Sequence, residues 1–211
     1  SNRPRAVLFS GPPGVGKTTM ARIIAAEAAF PLVYMPLENI MSAYYGESSK
    51  RLASIFDLAA KAAGNGLVLF LDEIDSLAPS RSEKLFEATR RMLSVLLRKI
   101  EGIESLGNVL TVGATNRPED LDAALVSRFD TQIEFPSPSK EDIAAILGLY
   151  AKQLGAEERA EIATRYEGLS PRNIKDLCQR AERICAREAI AAGEDQPKAP
   201  SSEHYLKALV G

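Results

Sequence analysis

A chain of 211 residues, 45% hydrophobic and 26% charged, is long enough to bury a sizeable core in one domain, or in a large domain with a small appendage. Its 26 Lys and Arg against 28 Asp and Glu give a net charge of -2 and a pI near 5.6, which leaves no global electrostatic footprint for nucleic acid or an anionic membrane. No run is apolar for long enough to predict a transmembrane segment, and no signal peptide opens the chain. Cys178 and Cys185, seven apart in a predicted helix, read as small core residues in a reducing, cytoplasm-like compartment. The opening Ser1 and Asn2 read as a cloning remnant, so a targeting segment is expected to be missing from this sequence.

In chain order, apolar runs at 6–9 (AVLF), 32–35 (LVYM), 67–71 (LVLFL), 109–114 (VLTVGA) and 131–135 (TQIEF) predict strands. Most are apolar throughout, as strands covered on both faces are. Helical periodicity fills 17–29, 48–63 and 82–100; in the last, Leu85, Phe86, Met92, Leu93, Leu96, Leu97 and Ile100 form one apolar stripe. Strands separated by helices predict a parallel α/β layer. Beyond PSPSK (136–140) the strands stop. Ser139 is placed to cap a helix reaching the neighbourhood of Leu154, helices follow at 156–166 and 171–192, and a polar linker (193–202) leads to a short terminal helix, EHYLKALV. The predicted organisation is an α/β subdomain over 1–137 and a small helical one over 138–211.

The strongest chemical signal is GPPGVGKT at 11–18, which has the phosphate-loop pattern between a predicted strand and a predicted helix. Gly11, Gly14 and Gly16 let the backbone turn its N–H groups toward phosphates, with Pro12, Pro13 and Val15 between them, and the helix N-terminus at Thr18 and Thr19 adds its positive end. Lys17 neutralises phosphate charge, and Thr18 offers a hydroxyl to Mg²⁺. This predicts ATP and Mg²⁺ as cofactors.

LVLFLDEID at 67–75 ends an apolar strand in Asp72 and Glu73, which puts two carboxylates at the carboxyl edge of a parallel sheet. Asp72 suits the Mg²⁺ shell, and Glu73 suits orienting or deprotonating a water. Asp75 is open between a role beside them and capping the turn that follows. At 112–122, VGATNRPEDLD ends a further strand in Thr115 and Asn116, whose amide is placed to hold the attacking water or the γ-phosphate.

Together these residues resemble the AAA family within the AAA+ ATPases, and FEATRRMLSVLLRKIEG (86–102) is similar to the corresponding helix of katanin, spastin and their relatives. The resemblance implies a five-stranded parallel P-loop NTPase sheet flanked by helices, then a small all-helical lid. It also implies active sites shared between subunits of a homo-oligomeric ring, usually a hexamer, that acts on a polypeptide substrate. Within MSAYYGES (41–48), Tyr44 falls where the family carries a pore-loop aromatic that grips substrate, and Tyr45 adjoins it. Arg128 in VSRFD matches the second of two arginines that reach a neighbour's nucleotide, with Ser127 in place of the first. In SPRNI (170–174), which departs from the family's Ser-Gly-Ala-Asp, Arg172 stands near a nucleotide-sensing arginine of other AAA+ proteins. The family's segment upstream of the first strand is not represented, so nucleotide affinity and assembly are expected to be weakened. A nucleotide-regulated binding module is the alternative reading. A DNA-directed AAA+ ATPase is opposed by the acidic pI, and a zinc protease by the lack of H-E-x-x-H, His204 being the single histidine.

Overall fold

The computed structural model describes residues 5–43, 47–78, 83–102, 108–166, 168–193 and 198–210. It divides into two compact units, Ser1–Gly11 with Gly16–Phe135, and Pro12–Val15 with Pro136–Gly211.

In the first unit, β1 (Ala6–Ser10), β2 (Leu32–Pro36), β3 (Leu67–Asp72), β4 (Val109–Thr115) and β5 (Thr131–Glu134) form one parallel sheet in the order β2-β3-β4-β1-β5. Successive side chains of a strand point to opposite faces. Val7, Phe9, Val68, Phe70, Val112 and Ala114 therefore meet Ala21 and Ala25 of α1 (Lys17–Glu27) on one side. Leu8, Leu69 and Leu71 meet the other side's cluster, with Leu52 and Phe56 of α3 (Ser48–Ala62) and Met92, Leu96 and Ile100 of α4 (Glu83–Glu101). Each fully buried Leu or Phe contributes about 1.5–3 kcal/mol. That double covering is why the central strands read as unbroken apolar runs.

After β2 the chain forms α2 (Leu37–Ala43), which is not among the helices that periodicity predicts. Seven residues are too few to hold a helix by propensity. Burial of Leu37 and Ile40 on one side holds it instead. Two 3₁₀ turns, Ile74–Leu77 and Pro118–Asp120, and the short α5 (Ala123–Val126) complete the described connections of this unit.

The second unit is helical, with α6 (Lys140–Tyr150), α7 (Ala156–Arg165), α8 (Pro171–Ala191) and α9 (Ser202–Val210). Ser139 caps α6 through a capping box with Asp142, and Ser170 caps α8 with Pro171 in its first turn. The predicted run to Leu154 ends early at Tyr150. Ala151, with φ -113 and ψ 60, ends it, and beyond it the Gln153 amide donates to the Pro200 carbonyl and the Tyr205 hydroxyl, at 3.0 and 2.9 Å. Tyr166 donates to the Tyr205 carbonyl and ties α7 to α9. Cys178 and Cys185 are free and buried, and burial pushes the Cys178 thiol up to about 11. His204 accepts the Ser201 N–H at 3.0 Å and faces Glu188 at 3.2 Å, a capping arrangement at the start of α9. Among the described residues no helix is long and apolar enough to cross a membrane.

Candidate functional site

Parallel register brings several of the sequence-predicted residues of the first unit to one sheet edge, but not Arg128, which precedes β5. Ser10 of β1 pairs with Thr115 of β4, and Pro36 of β2 pairs with Asp72 of β3. Gly11, Asp72, Glu73 and Asn116 therefore leave neighbouring strands on the same side. Gly11 has φ +139, and a Cβ there would run into the Phe135 carbonyl, so only glycine lets the chain leave β1 at this point.

Lys17 opens α1 and is buried, 7% exposed. Its ammonium donates to the Gly11 carbonyl at 2.5 Å and to Asn116 Oδ1 at 2.8 Å. Desolvation lowers its pKa, opposed by the charges of Asp72 and Asp75. This buried cation stands at the strand ends between the Gly11 and Asn116 oxygens, where the phosphate loop begins.

Thr18 Oγ1 lies 3.4 Å from Asp72 Oδ2, while Asp72 Oδ1 accepts the Glu73 N–H at 3.0 Å. Among the described residues no group of three His, Cys, Asp or Glu could hold a metal by itself. One hydroxyl and one carboxylate match how Mg²⁺ is held beside phosphates, where the nucleotide and water complete the octahedron. Glu73 has φ 58 and ψ 46, a left-handed conformation uncommon for a residue with a side chain. Its carboxyl pKa is raised, first by burial, then by a hydrogen bond and charge from Glu38, then by Asp72 and Asp75.

Asp75 lies within the 3₁₀ turn rather than at its cap, which is Glu73. It is buried, accepts from the Thr115 hydroxyl at 2.8 Å and the Asn116 N–H at 3.3 Å, and meets the Arg117 guanidinium at 3.4 Å. It thereby fixes the backbone that presents Asn116. Asp75→Ala leaves buried donors unpaired and is expected to cost about 1–3 kcal/mol, read from the denaturant midpoint. The Arg117 pair, 59% exposed on the arginine side, adds little to this.

Arg128 pairs with Glu101 at the end of α4. In the second unit, Gly14 has φ +80 and packs on the start of α8, where a Cβ would lie 2.6 Å from Ser170 Oγ; Arg172 donates its backbone N–H to the Gly14 carbonyl at 3.4 Å. Pro12, Pro13 and Val15 share this stretch, and Gly16 is the N-cap of α1 ahead of Lys17, Thr18 and Thr19. Tyr44 and Tyr45 lie outside the described residues. Tyr34 and Glu38 were not singled out by the sequence; Tyr34 donates its hydroxyl to Asp72 Oδ2 at 3.0 Å. A groove of about 650 Å³ between α3 and α4, lined by Ala60, Lys61, Val95 and Arg98, has none of the sequence-predicted site residues in its lining.

The family model for the ATPase family associated with various cellular activities (AAA) matches residues 7–137. The chain belongs to the AAA ATPase family. It is 38% identical to a cell division cycle protein 48 homolog of Archaeoglobus fulgidus over 195 residues, 89% of this chain and 26% of that protein. To the outer mitochondrial transmembrane helix translocase of Xenopus tropicalis it is 35% identical over 200 residues, 92% of this chain and 55% of that protein. A solved structure, the FIGL-1 AAA domain in complex with ADP, matches with a TM-score of 0.78 at 26% identity, over 97% of this chain and 70% of that one. The AAA chain thus spans between 26% and 55% of these two curated relatives. Family membership accords with the sheet and helical region seen here, and implies nucleotide binding and ATPase chemistry.

Proposed function

We propose that this chain is the Mg-ATP-hydrolysing core of a homo-oligomeric ring, a hexamer, that remodels, unfolds or threads a polypeptide through a central pore. The observation that carries the reading is the meeting of Lys17 with Asn116 at 2.8 Å beside Asp72 and Glu73, on the sheet edge where the phosphate loop begins. Bound Mg-ATP supplies the phosphoanhydride and the charge that activates it. Lys17 meets the phosphate charge, and the backbone of 11–16 with Thr18 and Thr19 wraps the phosphates. Thr18 and Asp72 hold the cation. Glu73 takes the proton of the attacking water, and Asn116 holds that water against the γ-phosphate. Arg172, bonded through its backbone to Gly14, reports nucleotide state to the lid. Tyr44 and Tyr45 grip substrate, a role that rests on the MSAYYGES resemblance alone. Domain boundaries at 137 and 138 belong to the same proposal.

Arg128 completes a neighbour's site by exchanging Glu101 for γ-phosphate. Arg128→Ala is expected to lower turnover on the order of a thousandfold in assembled protein without weakening ATP binding. Mixing it with Glu73→Gln restores part of the turnover, because some interfaces then join an intact Glu73 to an intact Arg128. A mixture as inactive as its components contradicts shared sites. The second reading, a nucleotide-regulated binding module with little hydrolysis, is favoured by Arg128 already being paired within its own chain and by Ser127 beside it.

A further inference from the structure

Tyr34 lies on edge strand β2 in register with Phe70 of β3, and the two rings stack with centroids 5.9 Å apart and 18° between planes. Asp72 is two residues beyond Phe70, so all three side chains share the face that carries α1. The Tyr34 hydroxyl reaches diagonally along that face to Asp72 Oδ2, at 3.0 Å. The same oxygen accepts from Thr18 at 3.4 Å, and Oδ1 accepts the Glu73 N–H at 3.0 Å. Three donors thus fix a carboxylate that, at the end of a strand, would otherwise turn freely. Tyr34 is 48% exposed, so burial alone does not account for an aromatic there.

We propose that Tyr34 is a positioning residue for the divalent cation, holding the Asp72 carboxylate in the orientation that cation requires. The inference rests on the reading of Asp72 as a cation ligand. A neutral donor suits the task. An arginine or lysine in its place would orient Asp72 equally well but would cancel the negative charge that attracts the metal. A phenol hydroxyl is an ordinary hydrogen-bond donor at neutral pH. Partners that orient a metal-binding carboxylate typically contribute about 10–100-fold to metal affinity.

The test is binding of a fluorescent, non-hydrolysable ATP analogue to the 211-residue chain, measured across free Mg²⁺ concentrations and in EDTA, for the parent, Tyr34→Phe and Asp72→Asn. Phe keeps the stack on Phe70 and removes only the hydroxyl. Tyr34→Phe is expected to raise the half-saturating Mg²⁺ about tenfold, with affinity in EDTA and thermal midpoint unchanged, and Asp72→Asn to raise it further. If Asp72→Asn raises it and Tyr34→Phe stays within about twofold of the parent, the role of Tyr34 is overturned while the cation site stands. If neither variant shifts it, the reading of Asp72 fails and takes this inference with it. A Tyr34→Phe effect that appears equally in EDTA also overturns it, since a general packing defect would act without the metal.

Discussion

Glu73→Gln is expected to retain ATP while slowing its hydrolysis about a hundredfold or more, the scale of a lost general base. Glutamine preserves the size of the side chain and its capacity to accept a hydrogen bond, but it cannot take a proton at neutral pH. The backbone of Glu73 is held in the left-handed region by the turn into Ile74–Leu77 and by its N–H bond to Asp72. The backbone that carries the carboxyl is therefore set by the fold, and the substitution leaves it unchanged. Its raised pKa carries a further consequence. A base works only when deprotonated, so kcat/KM falls as pH drops through that pKa, and its acid limb lies above the ordinary glutamate range. Steady-state turnover with parallel equilibrium binding checks both. Binding lost along with turnover would make Glu73 a structural residue; full turnover would place water activation elsewhere.

Lys17→Met has the second large effect. In the proposed function the ammonium makes charge-assisted contacts with phosphate, of a kind that contributes about 1.5–3 kcal/mol each, so ATP affinity is expected to fall at least tenfold to a hundredfold. Stability is expected to move in the opposite sense or not at all. Without nucleotide, Lys17 is 7% exposed and its charge is disfavoured by desolvation, and an apolar side chain of similar length fills the same space. Unchanged affinity, read by titration calorimetry, would remove Lys17 from the phosphate site. A markedly lowered thermal midpoint would make its bonds to Gly11 and Asn116 structural.

What the sequence makes legible follows from how local the signal is. Strands such as 67–71, covered on both sides, announce themselves as continuous apolar runs, and the phosphate loop keeps its chemistry within eight residues. Capping by Ser139 and the Pro171 start are equally local. By contrast, α2 is too short for periodicity and is held by what Leu37 and Ile40 pack against. The contact of Tyr34 with Asp72 spans 38 positions, and that of Asp75 with Thr115 spans 40. Pairing β2 with β3 at Pro36 and Asp72 places Tyr34 on the Asp72 face by the two-residue period, but register is a tertiary property. The sequence leaves Asp75 open between two roles because its donors, Thr115 and Asn116, lie at the end of β4, distant in sequence.

The central claim is that ATP is hydrolysed at sites completed between copies of this chain. Turnover per subunit measured across protein concentration tests it most directly. The account predicts a steep rise in specific activity as the chain assembles, absent in Glu73→Gln. Specific activity that is independent of concentration, with ATP bound throughout, would contradict it.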